Sequence, residues 1–221
     1  VDGFLVGGAS LDADEFAAGG QVHVDLHDVD VLRLADDLDY DIGKLRELLA
    51  YAKRVTLERD AKLVKLHDFI AGKVRRPYNS GNRKVLVFTA FADTADYLFE
   101  ELAPVLKSEL GLECAEVTGD RNRTYSLKLS RTTFEEVLCH FSPVSKELAE
   151  EDRALGEVDV LFATDCISEG QNLQDCDCLV NYDIHCFPVR IIQRFSCIDR
   201  LGSTNKPFQP VAFRPDIDLD E

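Results

Sequence analysis

A chain of 221 residues, 45% hydrophobic and 30% charged, can bury a substantial core and is sized for one large domain or two small ones. No run approaches the roughly 18 apolar residues of a membrane-spanning helix, and no signal peptide is read in the opening residues. The seven cysteines, irregularly spaced, lack the density of a secreted disulfide scaffold. These features predict a cytoplasmic protein with reduced thiols and no membrane partner. A net charge of -16 opposes phosphate in sum, but residues 1–47 hold 12 acidic side chains against Arg33, Lys44 and Arg46. Cations gather later, at Lys73, Arg75, Arg76, Arg83 and Lys84 and again at Arg121, Arg123, Lys128 and Arg131; the local field matters more than the total. The chain starts at Val1 rather than Met, which predicts a piece of a longer protein.

Residues 1–20 contain Gly-Gly twice and no clear period, and are expected to form a loop. "QVHVDLHDVDVL" alternates, with Val22, Val24 and Leu26 on one side, as a half-buried strand does. From about Asp41, Leu45, Leu48, Leu49, Ala52 and Val55 recur at helical spacing. A second helix runs through Leu63, Leu66, Phe69 and Ile70 until "RRPYNSGNRK" ends it. "KVLVFTA" is an apolar strand; "DTADYLFEELAPVLKSEL" is an amphipathic helix stopped by Gly111; "LECAEVTG" is a further strand. Residues 120–157 are polar and partly helical. "VDVLFATD", "DCLVNYD" and "FQPVAFR" complete the strands.

Apolar strands alternating with helices predict an α/β fold with a mainly parallel sheet covered on both faces, preceded by a mostly helical acidic segment. Such sheets bind ligands beyond the carboxyl ends of their strands. "TAF", "TGD", "TDCISEG" and "NYDIH" all fall there. Thr89, Thr118 and Thr164 each place a hydroxyl beside a turn, where hydroxyls and backbone N–H groups grip phosphate oxygens. The same threonines can simply cap turns. Gly170 allows close backbone approach to a ligand. In "IIQRFSCIDRLGS", helical spacing puts Arg194, Cys197 and Arg200 on one flank, a row suited to the charge of a phosphate.

"LFATDCISEGQNLQDCDCLVNYDIHCFPVRIIQRFSCIDRLGS" resembles motifs V and VI of superfamily 2 helicases, above all the Swi/Snf-like branch and its bacterial RNA-polymerase-associated relatives. "VLVFTAFADTADYL" resembles motif IV, and "AEVTGD" the segment after it. The resemblance spans about residues 57–215. It leaves 1–56 as the acidic N-terminal segment and implies, over 57–221, a helicase C-terminal domain: a three-layer RecA-like lobe. In the family, ATP lies between two such lobes and nucleic acid crosses both. Position by position, Arg200 is then the arginine finger, with Arg194 and Gln193 at the nucleotide cleft. Glu169, Gly170, Gln171 and Asp199 fall to the nucleotide, and Thr89, Phe91, Thr118, Gly119, Thr164 and Ser168 to the nucleic-acid backbone.

The implied function is the motor lobe of an ATP-dependent translocase, with double-stranded DNA as track. ATP with Mg²⁺ is the implied cofactor. The metal is expected to be held mainly by an N-terminal lobe, because no G-x-x-x-x-G-K-[ST] occurs here. "DEFA" at 14–17 has the letters of a Walker B variant but no apolar strand before it. Alone, this chain is expected not to hydrolyse ATP. Where the family has Gly-Arg, it has Ser196-Cys197, so one motif VI arginine is missing. This leaves an alternative: a catalytically degenerate lobe that binds nucleic acid or protein. His23 and His27 on a strand lie too far apart to share a metal ion, and Cys166, Cys176, Cys178 and Cys186 lack zinc spacing, so no metal site is expected.

Overall fold

The computed structural model describes residues 15–18, 22–25, 30–55, 59–167, 171–183, 188–198, 205 and 207–213. Backbone proximity divides the chain into two compact units, 1–56 and 57–221.

In the first unit, β1 (Glu15–Ala18) and β2 (Val22–Asp25) form an antiparallel ribbon in which Phe16 faces Val24. The expected loop thus contains a strand, and Glu15 to Ala17 of "DEFA" belong to the ribbon. Helix α1 (Val31–Ala52) begins about ten residues before the first expected helical position. Alternation continues in the letters beyond Asp25, but Asp30 takes the N-cap and its carboxylate accepts the Arg33 N–H at 3.1 Å. A local cap settles the boundary that periodicity leaves open.

The second unit is a three-layer α/β lobe. Its strands are β3 (Val85–Phe88), β4 (Cys114–Val117), β5 (Asn122–Thr124), β6 (Val160–Ala163), β7 (Cys178–Asn181) and β8 (Gln209–Ala212), in spatial order β5-β4-β6-β3-β7-β8. All neighbours are parallel except β4 and β5. Strands β3, β4, β6 and β7 are buried throughout, as a sheet covered on both faces requires.

Alternation then sorts the side chains. Val85, Val87, Val160, Phe162 and Val180 meet α2 (Ala61–Arg75) and α3 (Ala92–Leu110) on one face. Leu86, Phe88, Leu161, Ala163 and Leu179 meet α4 (Phe134–Phe141) and the Cys197–Ile198 turn on the other. A one-turn helix, α5 (Glu150–Arg153), lies in the polar stretch, and α6 (Pro188–Ser196) follows β7.

Asp60 caps α2, accepting the Lys62 and Leu63 N–H groups at 3.0 and 2.9 Å. At the other end Lys73 is fully buried, 2.8 Å from the equally buried Asp177, and donates to the Lys84 and Asn82 carbonyls. That bracket fixes α2 to the amino ends of β3 and β7. Gly111 ends α3 at φ +64°, the left-handed cap glycine favours. Gly111→Ala is therefore expected to cost about 1 kcal/mol, read as a lower denaturant midpoint at unchanged slope.

Candidate functional site

Because β3, β4, β6 and β7 run parallel, their carboxyl ends gather at one edge. The most constrained side chain there is Arg194, on α6. Its guanidinium is fully buried. Nε donates to Asp165 Oδ1 at 2.7 Å and Nη1 to Asn181 Oδ1 at 2.8 Å, while the group lies 4.9 Å from the Phe88 ring centroid. Nη2 is buried without a hydrogen-bond partner among the described residues. Asp165 opens the 3₁₀ turn after β6, and its second oxygen is 3.8 Å from Arg190 Nη1. One carboxylate thus ties α6 to the tip of β6, and one amide ties it to β7. The arginine expected at the cleft is found as a buried tether between motifs V and VI.

The helix itself ends at Ser196, and Cys197–Ile198 form a turn, so the row of residues 194, 197 and 200 is not one continuous helical flank. Cys197 is fully buried; its Sγ lies 3.5 Å from the Ile167 carbonyl, and its own carbonyl accepts the Leu173 N–H at 2.9 Å. The residue in the arginine's place packs motif VI onto motif V. Arg200 and Asp199 lie outside the described residues, as do Ser168, Glu169 and Gly170.

A second lock joins β3 to β7. Thr89, fully buried, donates its hydroxyl to Asp183 Oδ2, which also accepts the Ala90 N–H at 3.2 Å. Lys62 Nζ reaches Asp183 Oδ1 at 3.2 Å and sits 3.8 Å from the Tyr182 ring centroid. Burial alone would raise the Asp183 pKa, but Thr89, the Ala90 N–H and Lys62 together hold it below the ordinary carboxylate value. The Thr89 hydroxyl is committed to this carboxylate, while Phe91, 67% exposed at the start of α3, is open to solvent as are Ala90, Ala92 and Asp93 beside it.

Thr118 is buried and closes the turn into β5: its oxygen accepts the Arg121 N–H at 3.0 Å. Gly119 is exposed, and a Cβ there would meet nothing within 4 Å. Thr164 is half-buried, with its hydroxyl 3.4 Å from Cys166 Sγ. Gln171 accepts from Lys146 Nζ at 2.6 Å. The Gln193 side chain is half-buried, and its carbonyl accepts the Ser196 hydroxyl at 2.6 Å. The three threonines thus follow strands at one sheet edge, and all three spend their hydroxyls on hydrogen bonds inside the lobe.

Sequence reasoning missed Asp165, Asn181, Asp183 and Lys62, the partners that set this edge. Their letters lie within the quoted motifs or at a helix start. Only the fold pairs Lys62 with a residue 121 positions on.

Beside the Thr118 turn, Glu116 is fully buried on β4, with Arg123 Nε on one oxygen and the other without a hydrogen-bond partner among the described residues. Burial, helped by Asp96, pushes its pKa up to about 7 despite the Arg123 charge. A carboxyl whose folded pKa is raised stabilises the fold while protonated and loses that contribution as pH climbs from its unfolded value towards about 7. Wild type is expected to lose thermal stability relative to Glu116→Gln across that window; parallel melting curves would contradict this.

A cavity of about 530 Å³ lies at the opposite, amino end of the strands, lined in part by Arg83, Lys84, Arg153, Glu157 and Asp159. Glu157 pairs there with Lys84 at 3.0 Å and with Arg153 at 2.9 Å, so both cations already share one carboxylate. Burial pushes the Cys176 thiol up to about 12 and Cys178 higher still, as expected of packed core thiols.

Residues 61–202 match the family described as the helicase conserved C-terminal domain. Over 125 residues the chain is 29% identical to the ATP-dependent DNA helicase fml2 of Schizosaccharomyces pombe, covering 55% of this chain and 14% of that one. Over 47 residues it is 47% identical to the uncharacterized ATP-dependent helicase YqhH of Bacillus subtilis, covering 21% and 8%. The chain thus spans a small part of either relative. Among solved structures, the Pyrococcus furiosus Hef helicase domain is similar at 25% identity and a TM-score of 0.41, over 77% of this chain and 28% of that one. The Saccharomyces cerevisiae Dbp5 structure is similar at 21% identity and 0.44, over 71% and 32%. With the match covering more than half of its residues, the chain belongs to the helicase conserved C-terminal domain family.

Proposed function

We propose that this lobe is the C-terminal half of an ATP-driven translocase on double-stranded DNA, of the Swi/Snf-like branch. In this reading Arg200 faces the γ-phosphate, Gln193, Gln171, Glu169, Gly170 and Asp199 border the nucleotide, and Phe91, Gly119, Thr164 and Ser168 line the nucleic-acid path. The observation that carries it is the Arg194–Asp165–Asn181 lock, which draws motifs V and VI to the strand tips. Both curated relatives are named as ATP-dependent helicases, one of them for DNA.

Bound ATP with Mg²⁺ supplies the transferable phosphoryl group, and an N-terminal lobe elsewhere in the full-length protein grips the metal and phosphates. This lobe's part is positioning and charge. Arg194 fixes α6, so that the segment leading to Arg200 leaves the sheet edge from a rigid start. A guanidinium held in place acts on charge developing at the phosphate without reorganising during reaction. Arg194 and Thr89 serve as positioning residues, their polar atoms being committed inside the lobe.

The test is ATP hydrolysis by the full-length protein with duplex DNA, single-stranded DNA and RNA in parallel. Strongest stimulation by duplex DNA, with none for the 221-residue chain alone, is the expected result; no stimulation by any nucleic acid would contradict it. A second reading rests on Cys197: with a buried thiol where the family carries an arginine, the lobe is a catalytically degenerate module that docks nucleic acid or protein. It predicts DNA binding with no hydrolysis.

A further inference from the structure

Helix α1 carries Val31, Leu34, Leu38, Leu45, Leu48 and Ala52 on one stripe with Ala35, Ile42 and Leu49 alongside, and it has no buried residue. Leu45 and Leu48 are 64% and 63% exposed. An apolar stripe more than five turns long, left in water, is an interaction surface.

Three observations on the helix say what covers it. The first is charge: from Asp30 to Asp41 it carries five carboxylates against Arg33, and from Lys44 to Arg54 four cations against Glu47. A parallel partner of the same sequence would lay acid on acid, whereas an antiparallel one lays each acidic half on a basic half. The second is register. Val31, Leu38, Leu45 and Ala52 repeat every seven residues, as do Leu34, Asp41 and Leu48. Setting Leu34 against Ala52 of an antiparallel copy also sets Leu38 against Leu48 and Asp41 against Leu45, the facing of two such stripes. The third is Asp41, the one charge inside the stripe. That register brings it beside Lys44 and Leu45 of the other copy, so an otherwise misplaced carboxylate gains a cation. Lys44 now holds the exposed Glu47 at 3.1 Å and lies 5.7 Å from the Tyr40 ring centroid, both exchangeable partners.

We infer that α1 is a self-association surface, pairing antiparallel with α1 of a second copy of this chain. The inference is independent of the function proposed above.

Sedimentation equilibrium of the 221-residue chain tests it. The expected result is a concentration-dependent species of twice the 24.7 kDa chain mass. Leu45→Asp with Leu48→Asp, at exposed positions that support no core, is expected to leave a monomer with unchanged helical content. Asp37→Lys with Asp41→Lys should raise the dimer Kd by at least about tenfold, and adding Lys44→Glu with Lys53→Glu should restore it. A monomer at every concentration would overturn the inference, as would association indifferent to Leu45→Asp, or a charge exchange that fails to restore pairing.

Discussion

Replacing Arg200 with alanine is expected to lower nucleic-acid-stimulated ATP turnover of the full-length protein by about 10³-fold or more, with KM for ATP changed far less. The size follows from charge. A guanidinium supplied to a transferring phosphoryl group acts on negative charge that grows in the transition state, so its loss falls on kcat. Arg200→Lys should recover only part of the rate, because an ammonium keeps the charge and loses the planar fork. The effect should be larger here than where two motif VI arginines share the work, since Cys197 carries no charge and is packed inside the lobe. A variant within a few-fold of wild type would favour the degenerate module.

Arg194→Ala is expected to act through the fold, lowering stability of the lobe by about 3–5 kcal/mol. Truncation removes both hydrogen bonds of a fully buried guanidinium, takes the Arg194 partner from Asn181 Oδ1 and from Asp165 Oδ1, and opens a cavity beside Phe88. For a lobe of this length that is a fall in Tm on the order of 10 °C. Arg194→Met, which fills the volume without the charge, should lose less. Adding Asp165→Asn to Arg194→Ala should recover part of the deficit, because the carboxylate whose charge Arg194 balanced is then gone. Equal losses for Arg194→Ala and Arg194→Met, with no recovery in the double variant, would place the whole cost in packing.

Most of the lobe was legible in its letters because its strands are short apolar runs between helices, and such runs have few other uses. β3, β4, β6, β7 and β8 fall where "VLVF", "CAEV", "VLFA", "CLVN" and "QPVA" stand. β5 was not legible: "NRT" is polar, three residues long and held at the sheet edge by its pairing with β4. The start of α1 was missed because alternating and helical periods overlap around residues 26–32, and a single cap decides between them.

The site divides in the same way. Strand tips can be read from local sequence, so the positions of Thr89, Thr118 and Thr164 were found. Whether a hydroxyl faces solvent or a carboxylate cannot be read so, because the Asp183 that engages Thr89 lies 94 residues away. Arg194 was noticed for its charge, and its burial depends on Asp165 and Asn181, which no spacing rule connects to it.

The central claim is that the strand-tip edge of this lobe completes a nucleotide cleft begun by another lobe. It is tested most directly by photo-cross-linking an ATP analogue, with its reactive group on the γ-phosphate, to the full-length protein and mapping the labelled peptides. The account predicts label within residues 188–205, dependent on nucleic acid and absent when the 221-residue chain is labelled alone. Label confined to the rest of the protein, or equal labelling of the isolated chain, would contradict it.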